Sequence, residues 1–427
     1  MNKKLIALAV SAGTVAALAG CSSGTASESS GPVDLTMAIW SANEGHLALF
    51  DSIADEYVAA HPDEVASVTF ETLSSPFLTT LTTQIAGGST PDMAWIPESS
   101  GKEFVESGVL YNLSPTLEEA EGYDVDDIIP ASLERWSDSA GDVYGYPFSN
   151  SPFGIYVNRG LVEAAGEDQP ADLVASGEWT WDVAAEIAAA ASAEAGDSVG
   201  PITWSAPPER VWDNLVAVWA TYAAEPWSAD GTSCEFTSPE MTDALTWFNE
   251  AMFDQDAFVK PGEAFDFNSG SAAMMIAQLS SSGSIDESID WDFLPLPAGP
   301  EGAQPVVGQA GIGVVAKSDN PDAAADFLAF FTNPENSAKL AQFFPPPRES
   351  LLTVETIQEA APALSAEDIQ RTIIDAVPDA IIKPTSVHYS QISPMIQTAF
   401  DGLWQPDADV AGVTQGICDQ ISPIIGG

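Results

Sequence analysis

Between residues 33 and 96, short apolar runs alternate with segments of helical spacing. That alternation narrows the fold more than any other feature of the chain. Val33-Asp34-Leu35-Thr36-Met37-Ala38-Ile39-Trp40 reads as a buried first strand. Leu47, Phe50, Ile53, Tyr57 and Val58 then recur at helical spacing, and Pro62 closes that helix. Val68-Thr69-Phe70 is a second strand. Phe77 to Ile85 is a second helix ended by Gly87-Gly88, and Met93-Ala94-Trp95-Ile96 is a third strand. Strand and helix in alternation predict an α/β fold built on a parallel sheet. Later segments repeat the pattern. Thr180 predicts the cap of a helix starting at Trp181. Thr237 with Glu240 predicts a capping box ahead of Met241, Leu245, Phe248 and Met252. Asn320-Pro321 predicts one more helix start.

The N-terminal residues carry a separate signal. Lys3 and Lys4 precede an apolar stretch from Leu5 to Ala17, followed by Leu18-Ala19-Gly20-Cys21. A basic start, an apolar run and small residues at a cut describe an export signal. The run is too short for a comfortable transmembrane helix. A cysteine directly after the small residues resembles the bacterial lipoprotein signal, which implies cleavage after residue 20 and lipid on Cys21; an ordinary secretory signal is the alternative. Ser22 to Gly31 reads SSGTASESSG, too polar to bury itself, so residues 21–32 are expected to be a flexible linker. About 407 residues (427 minus 20) then remain for folded structure, enough for two lobes of ordinary domain size.

Charge excludes some partners. The chain holds 63 Asp+Glu against 12 Lys+Arg, a net charge of −51, or −53 once Lys3 and Lys4 are removed. Such a surface repels nucleic acid and other polyanions. It suits either a soluble acidic exterior or a cationic ligand. Of three cysteines, Cys21 is assigned to lipid. Outside the cytoplasm, Cys234 and Cys418 are expected to be joined, with two buried thiols as the alternative.

Several segments, taken in order, resemble the extracellular solute-binding proteins of ABC importers, the sugar-binding type. Gly87-Gly88-Ser89-Thr90-Pro91-Asp92-Met93 resembles the family's turn before its third strand. Gly108-Val109-Leu110-Tyr111-Asn112-Leu113 is similar to its "G-x-L-x-x-L" segment. Tyr144 to Phe148 with Gly154 to Arg159 resembles the strand pair that first crosses between lobes. Trp179-Thr180-Trp181-Asp182, Phe267 to Met274, Leu294-Pro295-Leu296-Pro297 and Gly311-Ile312-Gly313-Val314 complete the series, which fades beyond Ser350. The resemblance implies a two-lobed periplasmic-binding-protein-like fold, with a ligand cleft between lobes joined by several hinge crossings. Lobe one maps to 33–145 plus 306–342, and lobe two to 146–305 plus 343–427. It further implies a lipid-anchored monomer on the outer face of the cytoplasmic membrane. That monomer would capture a mono- or oligosaccharide for ABC permease subunits, without catalysis, cofactor or bound metal. Cys234 and Cys418 both fall in lobe two, which fits their pairing.

Sugars present hydroxyl edges and apolar C–H faces, so they call for aromatic planes and fixed polar groups. In a parallel sheet the cleft lies at the carboxyl ends of strands. That rule selects Trp40, Ser41, Asn43 and Glu44 after the first strand, and Trp95 and Glu98 at the third. Asn150, Ser151 and Phe153 sit at the first crossing. Trp204 and Trp212 follow Pro201-Ile202-Thr203, Gln309 precedes the glycine-rich strand, and Arg348 follows Pro345-Pro346-Pro347. Ile276 to Gly283 is small and polar where many sugar binders place an aromatic, which keeps a cationic or peptide solute open as an alternative. A surface-retained hydrolase is a remote alternative, since catalysis has little support. His46, His61 and His388 show no metal-binding spacing. Gly196-Asp197-Ser198-Val199-Gly200 matches G-x-S-x-G, but a helix is expected before it and a strand after it, the reverse of a nucleophile elbow.

Overall fold

A computed structural model describes residues 31–74 and 76–426. The leader, Cys21 and most of the expected linker lie outside the described residues. No helix among the described residues is long and apolar enough to cross a membrane.

The expected alternation is present. Strand β1 (Val33–Ile39) leads into helix α1 (Glu44–Ala60), then β2 (Val65–Thr72), α2 (Phe77–Gly87), β3 (Met93–Pro97), α3 (Glu98–Glu106) and α4 (Ser114–Glu119). β1 pairs in parallel with β2 and β3. Leu35, Met37 and Ile39 point to one face of this sheet and Ala38 to the other, so apolar packing covers both sides. Gly88, at φ 81°, ends α2 in the left-handed region that glycine adopts without penalty. Thr180 caps the helix Trp181–Ala195 as expected. The helix Pro239–Phe253 differs by one residue. Ser238, not Thr237, is its cap, because Pro239 then takes the first helical position where no N–H is needed.

Two long strands carry the architecture. β4 (Tyr146–Asn158) and β8 (Val306–Val314) run antiparallel to one another. The first half of β4 joins the β2-β1-β3-β8 sheet. Its second half, from Phe153, pairs with β6 (Ala272–Gln278) and β7 (Trp291–Pro295), and β6 pairs in parallel with β5 (Gly200–Trp204). β9 (Ile381–Ile382) pairs with Val306 and Val307 at the start of β8. The lobes therefore meet inside continuous strands, near residues 152–153 and 306–308. A third crossing falls later than expected. Asn150 N–H donates to Pro345 O, Ile129 N–H to Pro347 O, and Ser350 N–H to Asp127, each within 2.9 Å. Phe343 and Phe344 lie in the lobe-one core. Residues 343–350 thus pack with lobe one, and the chain crosses only before the helix Val354–Ala360.

Cys234 and Cys418 form a disulfide within lobe two. It ties the loop before Pro239 to the C-terminal helix Val410–Ile425.

Trp136 is fully buried on the β8 face, and its ring occupies the space a side chain at Gly311 would need. Its Nε1 donates to Gln309 Oε1 at 3.3 Å. Gly311→Ala is therefore expected to cost about 1–3 kcal/mol through overpacking. Adding Trp136→Leu should restore part of that loss. Urea denaturation of the single and double variants measures both.

Candidate functional site

The carboxyl ends of β1, β3 and β5 each carry a candidate side chain, and the segments after β1 and β3 touch lobe two through Asn43–Ser284 and Ser99–Thr385. Trp40 follows β1 and is 38% exposed, the most exposed tryptophan on this rim. Its ring meets Trp95 edge-on at 4.8 Å and Phe77 at 5.3 Å. Trp95 itself sits deeper, among Phe50, Phe148 and Phe344. Trp204, at the end of β5, is nearly buried, and its Nε1 has no partner among the described residues.

Ser41, Asn43 and Glu44 shape the turn into α1. Asn43 Oδ1 accepts from the N–H groups of Gly45 and His46, so it caps the helix. Its Nδ2 donates to Ser284 Oγ of lobe two at 3.2 Å. Ser41 Oγ shares a 2.8 Å hydrogen bond with His46 Nδ1. Burial against Phe343 and Phe344 lowers His46 to about 4, so this ring is neutral and holds Ser41 in place. Glu44 is exposed in the first turn of α1.

The strongest electrostatic feature spans the lobes. Glu98 starts α3 and is buried. Burial raises its carboxyl to about 7; Lys383 and Arg135 oppose the shift and Asp213 adds to it. On lobe two, Lys383 Nζ donates to Asp213 Oδ1 at 2.9 Å, and Tyr389 OH donates to Asp213 Oδ2 at 2.7 Å. Burial alone would lower the Lys383 ammonium, but Asp213 and Glu98 outweigh it and hold the charge. Glu225 of lobe two is raised by burial, and Arg135 opposes that shift across the gap. Lobe two also donates directly to α3. Thr385 Oγ1 reaches Ser99 O at 2.7 Å, and Ser390 N–H and Oγ reach Glu103 at 3.0 and 2.6 Å. Ser100 Oγ and Arg135 Nη1 are buried without a partner among the described residues. They are polar groups a bound solute can satisfy.

Other candidates turn inward. Asn150 and Gln309 face each other across β4 and β8. Gln309 Nε2 donates to Asn150 Oδ1 at 2.8 Å, and Asn150 Nδ2 donates to Ser132 Oγ at 2.8 Å. Ser151 Oγ accepts from Ser280 N–H. These residues lock the crossing strands together. Phe153 lies where β4 changes lobes, with Lys383 5.7 Å from its ring centre. Trp212 is enclosed by Trp219, Trp227, Phe236, Tyr389 and Phe400, and its Nε1 donates to Ser393. It supports the neighbouring Asp213 and offers no free face. Arg348 is a clear correction. It is 0% exposed, lies 4.7 Å over the Tyr123 ring, and donates to Asp124 O and Thr332 O. It pins the segment 343–350 to lobe one.

The cluster around Lys383 was not anticipated. Only ten basic residues follow Cys21, so a lysine after the apolar Ile381-Ile382 was the available signal. Ser198 sits in the turn from a helix into β5, the reverse of what a nucleophile elbow needs.

Residues 41–338 match the model of the bacterial extracellular solute-binding protein family. A protein of Brucella abortus described only as a binding protein is 26% identical over 404 residues, covering 90% of this chain and 91% of that protein. Among solved structures, an ABC substrate-binding protein of Listeria monocytogenes in complex with cycloalternan aligns with a TM-score of 0.79 and 23% identity, covering 92% of this chain and 99% of that one. Maltose-bound MalE3 of T. maritima aligns at 0.77 and 18% identity, with the same coverage. UgpB of Mycobacterium tuberculosis, in complex with glycerophosphocholine, aligns at 0.76 and 19% identity, covering 93% of this chain and 98% of that one. The match over 41–338 spans more than half of the chain, which therefore belongs to the bacterial extracellular solute-binding proteins.

Two outcomes follow from this geometry. Arg348→Ala is expected to destabilise the protein by roughly 3–5 kcal/mol, because a buried cation and its acceptors lose each other; solute affinity of the folded fraction should not change. Chemical denaturation and titration calorimetry separate the two effects. Glu98 binds its proton more tightly in the folded state than in the unfolded chain. Its contribution to stability is thus full below pH 4.5 and is lost as pH rises through 7. Glu98→Gln should match the wild type at pH 4.5 and exceed it in stability above pH 7, in urea melts at both pH values.

Proposed function

We propose that this protein is the solute-receiving component of an ABC importer and captures a mono- or oligosaccharide between its lobes. The observation that carries this reading is the polar cluster where the two lobes meet, bridged by Asn43 to Ser284 and by Thr385 and Ser390 to α3. An exposed tryptophan at the lip, Trp40, stands beside buried carboxylates and cations contributed by both lobes. The ring offers an apolar plane to the sugar C–H face. Trp204 Nε1, Ser100 Oγ and Arg135 offer unpaired hydrogen-bonding groups to hydroxyls. Glu98 and Asp213 are positioned to accept from hydroxyls once the lobes close. The neighbours solved with cycloalternan and maltose support the carbohydrate class.

Mechanism in this reading is binding and hinge motion, with no chemical conversion. β4 and β8 bend near residues 152–153 and 306–308. The lobes close on the solute, and the closed form presents it to membrane permease subunits. Lipid on Cys21 and the spacer 21–32 keep this monomer at the outer face of the cytoplasmic membrane. A second reading is a solute with a cationic group. Glu98, Asp213 and Glu225 favour it, as does the neighbour holding glycerophosphocholine.

A thermal-shift screen over saccharides, polyamines and peptides tests the solute class, since a ligand raises the melting temperature by mass action. A stabilising saccharide whose affinity is indifferent to salt supports the first reading. Stabilisation only by cations, weakened by salt, supports the second. For the saccharide that binds, Trp40→Ala should reduce affinity by about tenfold or more in calorimetry. An unchanged affinity would remove Trp40 from the site.

A further inference from the structure

We infer that Glu103 is a positioning residue for solute capture: from lobe one it fastens the first turn of a lobe-two helix, and so biases the hinge toward its closed form. This rests on the reading that the solute is held between the lobes.

The helix is Tyr389–Ala399. The first four N–H groups at a helix start have no partner inside the helix and must find one elsewhere. Three of the four find theirs within lobe two. His388 N–H donates to Ser386 Oγ at 3.1 Å, Tyr389 N–H to Ser386 O at 3.1 Å, and Gln391 N–H to His388 O at 3.0 Å. The fourth looks to the other lobe. Ser390 N–H donates to Glu103 Oε2 at 3.0 Å, and Ser390 Oγ donates to Glu103 Oε1 at 2.6 Å. One carboxylate of α3 therefore takes both donors of a single residue on the facing lobe.

The helix brings no substitute of its own. His388, at the N-cap, makes no side-chain cap bond, and the first turn holds no acidic residue, in a chain with 63 Asp+Glu. Elsewhere Asn43, Thr180 and Ser238 each cap the helix they precede. A helix start carries partial positive charge, which a carboxylate stabilises. Here that carboxylate belongs to lobe one, so the helix is capped only while the lobes are together. A second bond lies beside the first. Thr385 Oγ1 donates to Ser99 O at 2.7 Å, one turn before Glu103 on α3.

Both partners are protein groups, so the bias acts on every solute alike. It raises affinity through the closed fraction and gives no choice among solutes. Ser390 is exposed and Glu103 half-buried, so water competes and the expected bias is about threefold.

Small-angle scattering and hydrogen–deuterium exchange on the purified chain, with no solute added, test this. In Glu103→Ala the radius of gyration should rise above the wild-type value. Exchange should quicken by about threefold in residues 386–392, and equally in 41–46 and 280–285, where Asn43 meets Ser284. That contact follows β1, one strand further from β8 than β3 is, so lobe opening reaches it and local uncapping does not. Glu103→Gln, whose amide oxygen still accepts, should recover part of the change. Glu106→Ala, exposed on the same helix, should change neither reading. Faster exchange confined to 386–392, with unchanged scattering, would make Glu103 a helix cap alone and overturn the inference. An equal response in Glu106→Ala, or no response in Glu103→Ala, would overturn it as well. Because no solute is present, failure of every saccharide to bind would end the carbohydrate reading and leave this result to be decided by itself.

Discussion

Everything in this structure depends on two strands that belong to both lobes. β4 and β8 pair with each other, and each gives one end to either sheet. Their contact is held by a buried amide pair, Asn150 and Gln309, closed off by Ser132 and Trp136. A buried polar network of this kind is costly unless its groups are paired, and here each amide finds partners. The result is a stiff double strand that lets each lobe keep its own core. Motion is left to the few residues where pairing changes hands.

That arrangement also explains where charge collects. The ends of β1 and β3 deliver Trp40 and Glu98 toward the lobe contact, and the return crossing delivers Lys383 beside Glu98. The chain is acidic nearly everywhere, so a buried lysine bonded to Asp213 is a local exception with a local cause. Lys383 and Arg135 let carboxylates from opposite lobes approach one another. Without them, Glu98 and Asp213 would repel at the point where the lobes touch.

Much of the fold was legible in the sequence, and the reasons are physical. Apolar runs of two periods placed β1, α1, β2, α2 and β3, and Gly88 and Thr180 marked helix ends through their own backbone chemistry. The cap at Ser238 was missed by one residue because Thr237 with Glu240 satisfies the same pattern. The late crossing was not legible, since the hydrogen bonds of Pro345, Pro347 and Ser350 are long-range and leave no periodic trace. The site was legible only as far as strand ends could locate it. Trp40 and Glu98 lie where that rule puts them. Trp212, chosen by the same rule, and Arg348, chosen for its place after Pro345-Pro346-Pro347, turn into the core, because side-chain direction is decided by neighbours distant in sequence. Lys383 and Tyr389 come from the region beyond Ser350, where the resemblance to the family fades.

The central claim is that one solute is held by both lobes at once. Hydrogen–deuterium exchange, with and without a saturating saccharide, tests it most directly. The account predicts simultaneous protection of the turn after β1, the start of α3 and the segment from Lys383 to Ser390. Protection confined to one lobe, or found only away from these three segments, would contradict it.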